Sequence, residues 1–251
     1  MSDAPAPPTP EPVAPGEPGG FFPNLLDLYF DPRPAFDRIV RSPRWLFPFI
    51  GAVVLPLVFV AVWTSRMEPR VFMKTQMQEA GQWDKIPADQ REQMLDHQAR
   101  FMPTFTRVVA PLGAVLTILV VAGVLLLVYR FFYAGEVGFQ QALAVTSWSM
   151  FAISLLTTPL TLAVMALKDD WNLNPQEVLQ ANLGLLLDKA EVAKPVWALA
   201  TSFDLFVFWL IFLLAAGFGV ACRKSTGSAL WGVVVPWAIV VAVKVGWSAL
   251  F

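Results

Sequence analysis

Apolar residues in this chain gather into five runs too long for a soluble core, separated by polar connections. The runs cover about residues 45–64, 106–132, 139–167, 197–222 and 229–250. Each holds close to the roughly 20 apolar residues that a helix needs to cross hydrocarbon about 30 Å thick. The pattern predicts an all-α membrane protein, a five-helix transmembrane bundle with short amphipathic surface helices. Trp45 and Trp63 flank the first run, where an aromatic belt would sit. Pro48 and Pro56 lie inside it and predict a kink. The third run is the most polar, with Thr146, Ser147, Ser149, Ser154, Thr157, Thr158 and Thr161 around Pro159. Small hydroxyl residues let helices approach closely, so tight packing is the simpler reading and a lined polar path the sharper one.

The polar stretches carry a second layer of periodicity. Pro34 can open a short helix with Phe36, Ile39 and Val40 on one side and Arg38 and Arg41 on the other. Ended by Pro43, it is suited to lie in the membrane interface. From Pro87 the run IPADQREQMLDHQARF has helical period, with Met94, Leu95, Gln98, Phe101 and Met102 along one side. His97 falls there and reads as a solvated helix residue rather than a ligand. Further on, Asn174, Pro175 and Glu177 form an N-terminal capping pattern. They predict a helix of about a dozen residues with Leu179, Leu183, Leu186 and Leu187 as its stripe, too short to span. Residues 1–22 are rich in Pro, Ala and Gly and read as a disordered tether, with a polyproline docking segment as the alternative. Their first 20 residues hold no Lys or Arg, which does not fit a signal peptide. Residues 23–251 form the membrane domain.

Composition agrees with the pattern and narrows the chemistry. The chain is 56% hydrophobic and 15% charged, with mean hydropathy +0.57, as a multipass membrane protein should be. A net charge of −1 offers no field for nucleic acid. One cysteine (Cys222) and one histidine (His97) leave no disulfide, CxxC or HExxH motif. Phosphate-binding glycine loops and GxSxG are missing too. The expectation is a chain that is not an enzyme and holds no cofactor and no metal.

Two ionisable residues fall inside the runs, Asp204 and Lys244. In antiparallel neighbours each lies about seven residues from the same end, roughly 10 Å deep. An uncompensated charge there is costly, so an intramembrane ion pair is predicted, as a structural clamp or as a proton or ion relay. Lys244 could instead snorkel outward alone. Ala215, Gly217, Gly219 and Ala221 make small-xxx-small spacings suited to helix packing, within the bundle or between copies. Arg33, Arg38, Arg41 and Arg44 crowd the approach to the first run and favour a cytoplasmic N-terminus.

Several of these residues together resemble a known family. Asp204, Phe206, Trp209, Gly217, the Ser/Thr turn and Trp237 look like the closing helices of the Yip-type membrane family, named for Ypt/Rab-interacting proteins. Pro34, Phe36, Pro43, Trp45 and Pro48 look like its front, and FQQALAVTSWSMFAISL is similar to its third-span entry. The resemblance implies five spans, a cytoplasmic N-terminus and no catalytic residues. In a eukaryote it implies small GTPase partners. The alanine-rich chain with its large second connection looks more like the bacterial branch, in an inner (cytoplasmic) membrane, where no such cycle exists. The expected function is then a non-enzymatic partner-binding or membrane-organising component. Its partners would be the lipid bilayer, other membrane proteins or further copies of itself. A small transporter or channel subunit using Asp204 and Lys244 is the alternative. An intramembrane hydrolase would need a Ser–Lys arrangement through Lys244.

Overall fold

The computed structural model describes residues 20–250 apart from Gln180 and Ala190. The tail expected over 1–22 lies outside the described residues up to position 19. Phe21 and Phe22, assigned to it, are already helical, in α1 (Phe21–Phe30). There follow α2 (Pro32–Arg41), α3 (Leu46–Arg66), α4 (Pro69–Glu79), α5 (Ala88–Tyr133) and α6 (Phe139–Lys168). The chain closes with α7 (Pro175–Val178), α8 (Lys194–Ala200), α9 (Leu205–Ala221) and α10 (Thr226–Leu250). Among the described residues there is no strand, only one isolated bridge between Asn182 and Asp204. This is an all-α membrane bundle.

Four helices, α3, α5, α6 and α10, are long and apolar enough to cross a bilayer. The expected fourth run over 197–222 is not one helix. It breaks into α8 and α9, and α9 keeps 17 residues, about 26 Å at 1.5 Å per residue. The break is local chemistry. Thr201 and Ser202 turn their hydroxyls back onto the carbonyls of Trp197 and Ala198 and end α8, and Asp204 then caps α9.

The second expected span and the polar helix before it prove to be one helix. α5 runs 46 residues, about 69 Å. Pro103 and Pro111 lie inside it. Each removes one backbone bond, and packing of α5 against α3, α4 and α6 holds the helix across both. Its inward face keeps Leu95 of the predicted stripe, adds Ala99 and leaves out Phe101. Leu95 and Ala99 are buried, while Phe101 is 59% exposed.

α6 and α9 form the centre. Every residue from Ala142 to Ser149, and from Leu213 to Gly219, is buried. α2 packs against both, so its amphipathic stripe is covered by protein. Phe36 is fully buried and Ile39 almost so. An amphipathic stripe reads the same whether its cover is lipid or protein, and here it is protein. Around this centre α3, α5 and α10 turn Val58, Leu112, Leu116, Val240 and Val243 outward, as lipid-facing surfaces do. Trp63, expected in an interfacial belt, is buried with Met67, Phe72, Met165 and Val178. Its ring N–H donates to the Trp171 carbonyl at 2.9 Å.

The dozen-residue helix expected after Asn174 is also absent. α7 has four residues, with Asn174 capping it through the Gln176 amide. The Asn182 side chain accepts from the Gly184 amide at 2.9 Å. Leu183 and Leu205 amides donate to the Phe203 and Ala181 carbonyls. Pairing with the α8–α9 turn replaces the helix, and Leu183 and Leu186 stay exposed.

Candidate functional site

The α8–α9 turn forms one wall of a cleft of about 880 Å³ at the end of the bundle away from α1 and α2. The end of α4, the 176–194 connection and the last turns of α10 complete it. Sequence placed Asp204 and Lys244 at one level, and both line this cleft. They do not touch as an ion pair. Asp204 Oδ1 accepts from the amides of Phe206 at 2.8 Å and Val207 at 3.2 Å, a helix N-cap. Lys244 Nζ donates instead to Ser202 Oγ at 3.1 Å and Thr201 Oγ1 at 3.3 Å. The clamp is therefore one of ammonium to hydroxyls, with the carboxylate spent on the start of α9.

Lys189 sits across the cleft, 2.8 Å from Glu177 and 3.2 Å from Glu79. Partial burial pulls its ammonium down, the two carboxylates outweigh that, and the net shift is upward. Sequence reading missed Lys189, Glu79, Glu177, Thr201 and Ser202, because no period links α4, the connection and α8. The string TSFD before an apolar run was a usable signal, since Asp in that place reads as an N-cap.

Ser202 Oγ and Lys244 Nζ stand at the spacing of a Ser–Lys dyad. Ser202, however, is buried and gives its proton to the Ala198 carbonyl at 2.7 Å. Among the described residues no group of three or more His, Cys, Asp or Glu could hold a metal ion.

Toward the other end of the bundle the helices meet in close contacts. A methyl on Gly217 would overlap Val145 on α6 and meet Phe36 Cδ1 on α2 at 2.9 Å. Gly219 approaches Ala229 in the first turn of α10, 3.2 Å from a built Cβ. Ala215 is fully buried and Ala221 half-buried. The contacts of Gly217 and Gly219 thus lie within one copy. Three of the third-span hydroxyls are held by their own helix. Ser149, Thr157 and Thr161 donate to carbonyls four residues back, while Thr146 and Ser147 are fully buried against the packed centre.

A Yip1 domain matches residues 26–247. The chain belongs to the Yip1 domain family. No curated protein and no solved structure matches it. The match takes in α2 to α9 entire, half of α1 and most of α10. Within the Yip1 domain, two residues that carried the resemblance, Phe36 near the start and Gly217 near the end, pack directly on each other. The match thus joins distant parts of the chain into one packed unit, an integral multi-pass membrane protein.

Proposed function

We propose that this Yip1 domain works without catalysis, by holding a partner in the membrane or organising the bilayer around it. The observation that supports this reading is the commitment of polar groups to structure. Ser202 ends a helix, Asp204 caps one, and Ser149, Thr157 and Thr161 on the third span bond their own backbone. The centre is packed, and open clefts lie at the ends. Surfaces fit for partners remain, above all the first turns of α5 with α4 beside them and the exposed pair Phe101 and Phe105.

The proposed setting is a bacterial inner membrane with α1, α2 and the Arg223–Lys224 turn on the cytoplasmic side. Arg33, Arg38, Arg41 and Arg44 next to the first span support that orientation. A small GTPase would be the partner only in a eukaryotic cell. The test is a photo-crosslinker placed at Phe101 in native membranes. One discrete adduct that persists when Phe101 is the site and is lost when the lipid-facing Leu116 is the site supports partner holding. Labelling of Ser202 by a fluorophosphonate would overturn the non-catalytic reading.

Transport by the same chain has one observation in its favour, a cleft that reaches both Asp204 and Lys244. A relay would need the cleft to continue through the bundle, where α6 and α9 are closely packed. Proton or ion flux into liposomes carrying the purified chain, abolished in Lys244→Met, would establish that second reading.

A further inference from the structure

The charges lining the cleft divide unevenly between its two halves. On the side of the connection, Lys189 is matched by Glu79 and Glu177. On the side of α8, α9 and α10, Lys244 bonds only to hydroxyl oxygens. An ammonium has three N–H groups, so one remains to be used. Asp204 spends Oδ1 on two amides, and its Oδ2 accepts no hydrogen bond among the described residues. Lys194 at the start of α8 also lines the cleft, and beside it Lys244 and one carboxylate oxygen of Asp204, not in ion-pair contact with each other, face the same open space.

That pattern is complementary to a zwitterion that carries both a phosphate and an amine. The surroundings say what carries it. Val196, Leu199, Leu205, Trp247 and Leu250 are all exposed at this end of α8, α9 and α10. Such a rim suits acyl chains, and Trp197 and Trp247 stand where aromatic side chains meet headgroups. The cleft volume lies within the range of small-ligand sites. We infer that the cleft seats the headgroup of a phospholipid bearing a primary amine, of the phosphatidylethanolamine class, with Lys244 on the phosphate and Asp204 on the amine. Thr201 and Ser202 hold the Lys244 ammonium in place for it. A choline headgroup has no N–H to give to Asp204 Oδ2, and a glycerol headgroup leaves that carboxylate facing an uncharged group.

The full chain, delipidated and returned to nanodiscs of equal phosphatidylethanolamine, phosphatidylglycerol and phosphatidylcholine, tests this by native mass spectrometry of retained lipid. The wild type retains phosphatidylethanolamine about 10-fold over phosphatidylcholine, the size of one charge-assisted hydrogen bond. Lys244→Met lowers total retention by about the same factor. Asp204→Asn keeps the cap, since Asn caps as well as Asp. It loses the headgroup preference while still retaining phospholipid, and it carries the test by itself if Lys244→Met does not fold. Equal retention by wild type and Lys244→Met, or an unchanged preference in Asp204→Asn, overturns the assignment. Binding of soluble O-phosphoethanolamine with no lipid retained would show a free phosphate ligand and overturn the lipid.

Discussion

At Gly217, α2, α6 and α9 meet in close contact. In an exposed helix, Gly to Ala gains about 1 kcal/mol. Here the new methyl overlaps Val145, and overpacking costs about 1–3 kcal/mol, so the sign of the change reports the contact. Gly217→Ala should lower the thermal midpoint in detergent, and Gly217→Val should lower it further. Phe36→Ala alone should cost about 3 kcal/mol or more. Combined with Gly217→Ala it should lose less than the sum, because the removed ring makes room for the methyl. Additive losses would mean that the two residues do not share one space. At Asp204 the cap separates from the charge. Asp204→Ala should cost about 1 kcal/mol of stability and Asp204→Asn almost nothing. Sequence singled out all three residues. Reading the Asp204 carboxylate as a buried charge passed over the TSFD string before it, which marks Asp204 as the cap of its own helix.

Elements were legible where period and composition changed together, and illegible where only one did. The α6 boundaries came out close because a glycine turn and an apolar run coincide there. α5 was divided in two because hydropathy changes near Pro103 while the helical period does not. Its polar half is held to α4 by Arg70, which pairs with Glu92 and Asp96. All three side chains are about half exposed or more, and such pairs are worth about 0.2–1 kcal/mol. Arg70→Ala should therefore leave the global midpoint nearly unchanged while hydrogen exchange in α4 speeds up. Slow exchange in α4 of the variant would show that the Phe72 and Met77 contacts hold it alone. Lys189 gives a different dependence. Its folded value is raised, so the stability it contributes is fully present below the ordinary lysine range. That contribution disappears only as pH rises through the raised value. The tie between the connection and α4 should stay flat from about pH 6 to 9 on account of this ammonium and weaken above that. Lys189→Met should remove the alkaline loss, seen as exchange rates near Glu177 that no longer rise with pH beyond the intrinsic rate.

For the whole molecule the open quantity is the number of crossings, and α9 decides it. At about 26 Å it falls short of hydrocarbon about 30 Å thick. A mismatch of a few ångströms costs only fractions of a kcal/mol per Å. Against that stands the burial of its second half, Leu213 to Gly219, among α6, α2 and α10, which a surface position would forfeit. The balance favours a crossing, with the α8–α9 turn and its polar cleft inside the headgroup layer, and α1 and the end of α10 then lie on opposite sides. The single native cysteine makes this measurable. In a Cys222→Ala background, cysteines at Glu136 and Lys224 should be closed to a membrane-impermeant thiol reagent in intact cells and open after permeabilisation. Cysteines at Asp169 and Glu191 should react in intact cells. All four positions are exposed, so protection reports the membrane and not the fold. If Lys224 and Glu191 react from the same side, α9 does not cross and the count falls to four. If all four sides are exchanged, the bundle crosses five times in the opposite orientation, and the arginines before the first span do not set it.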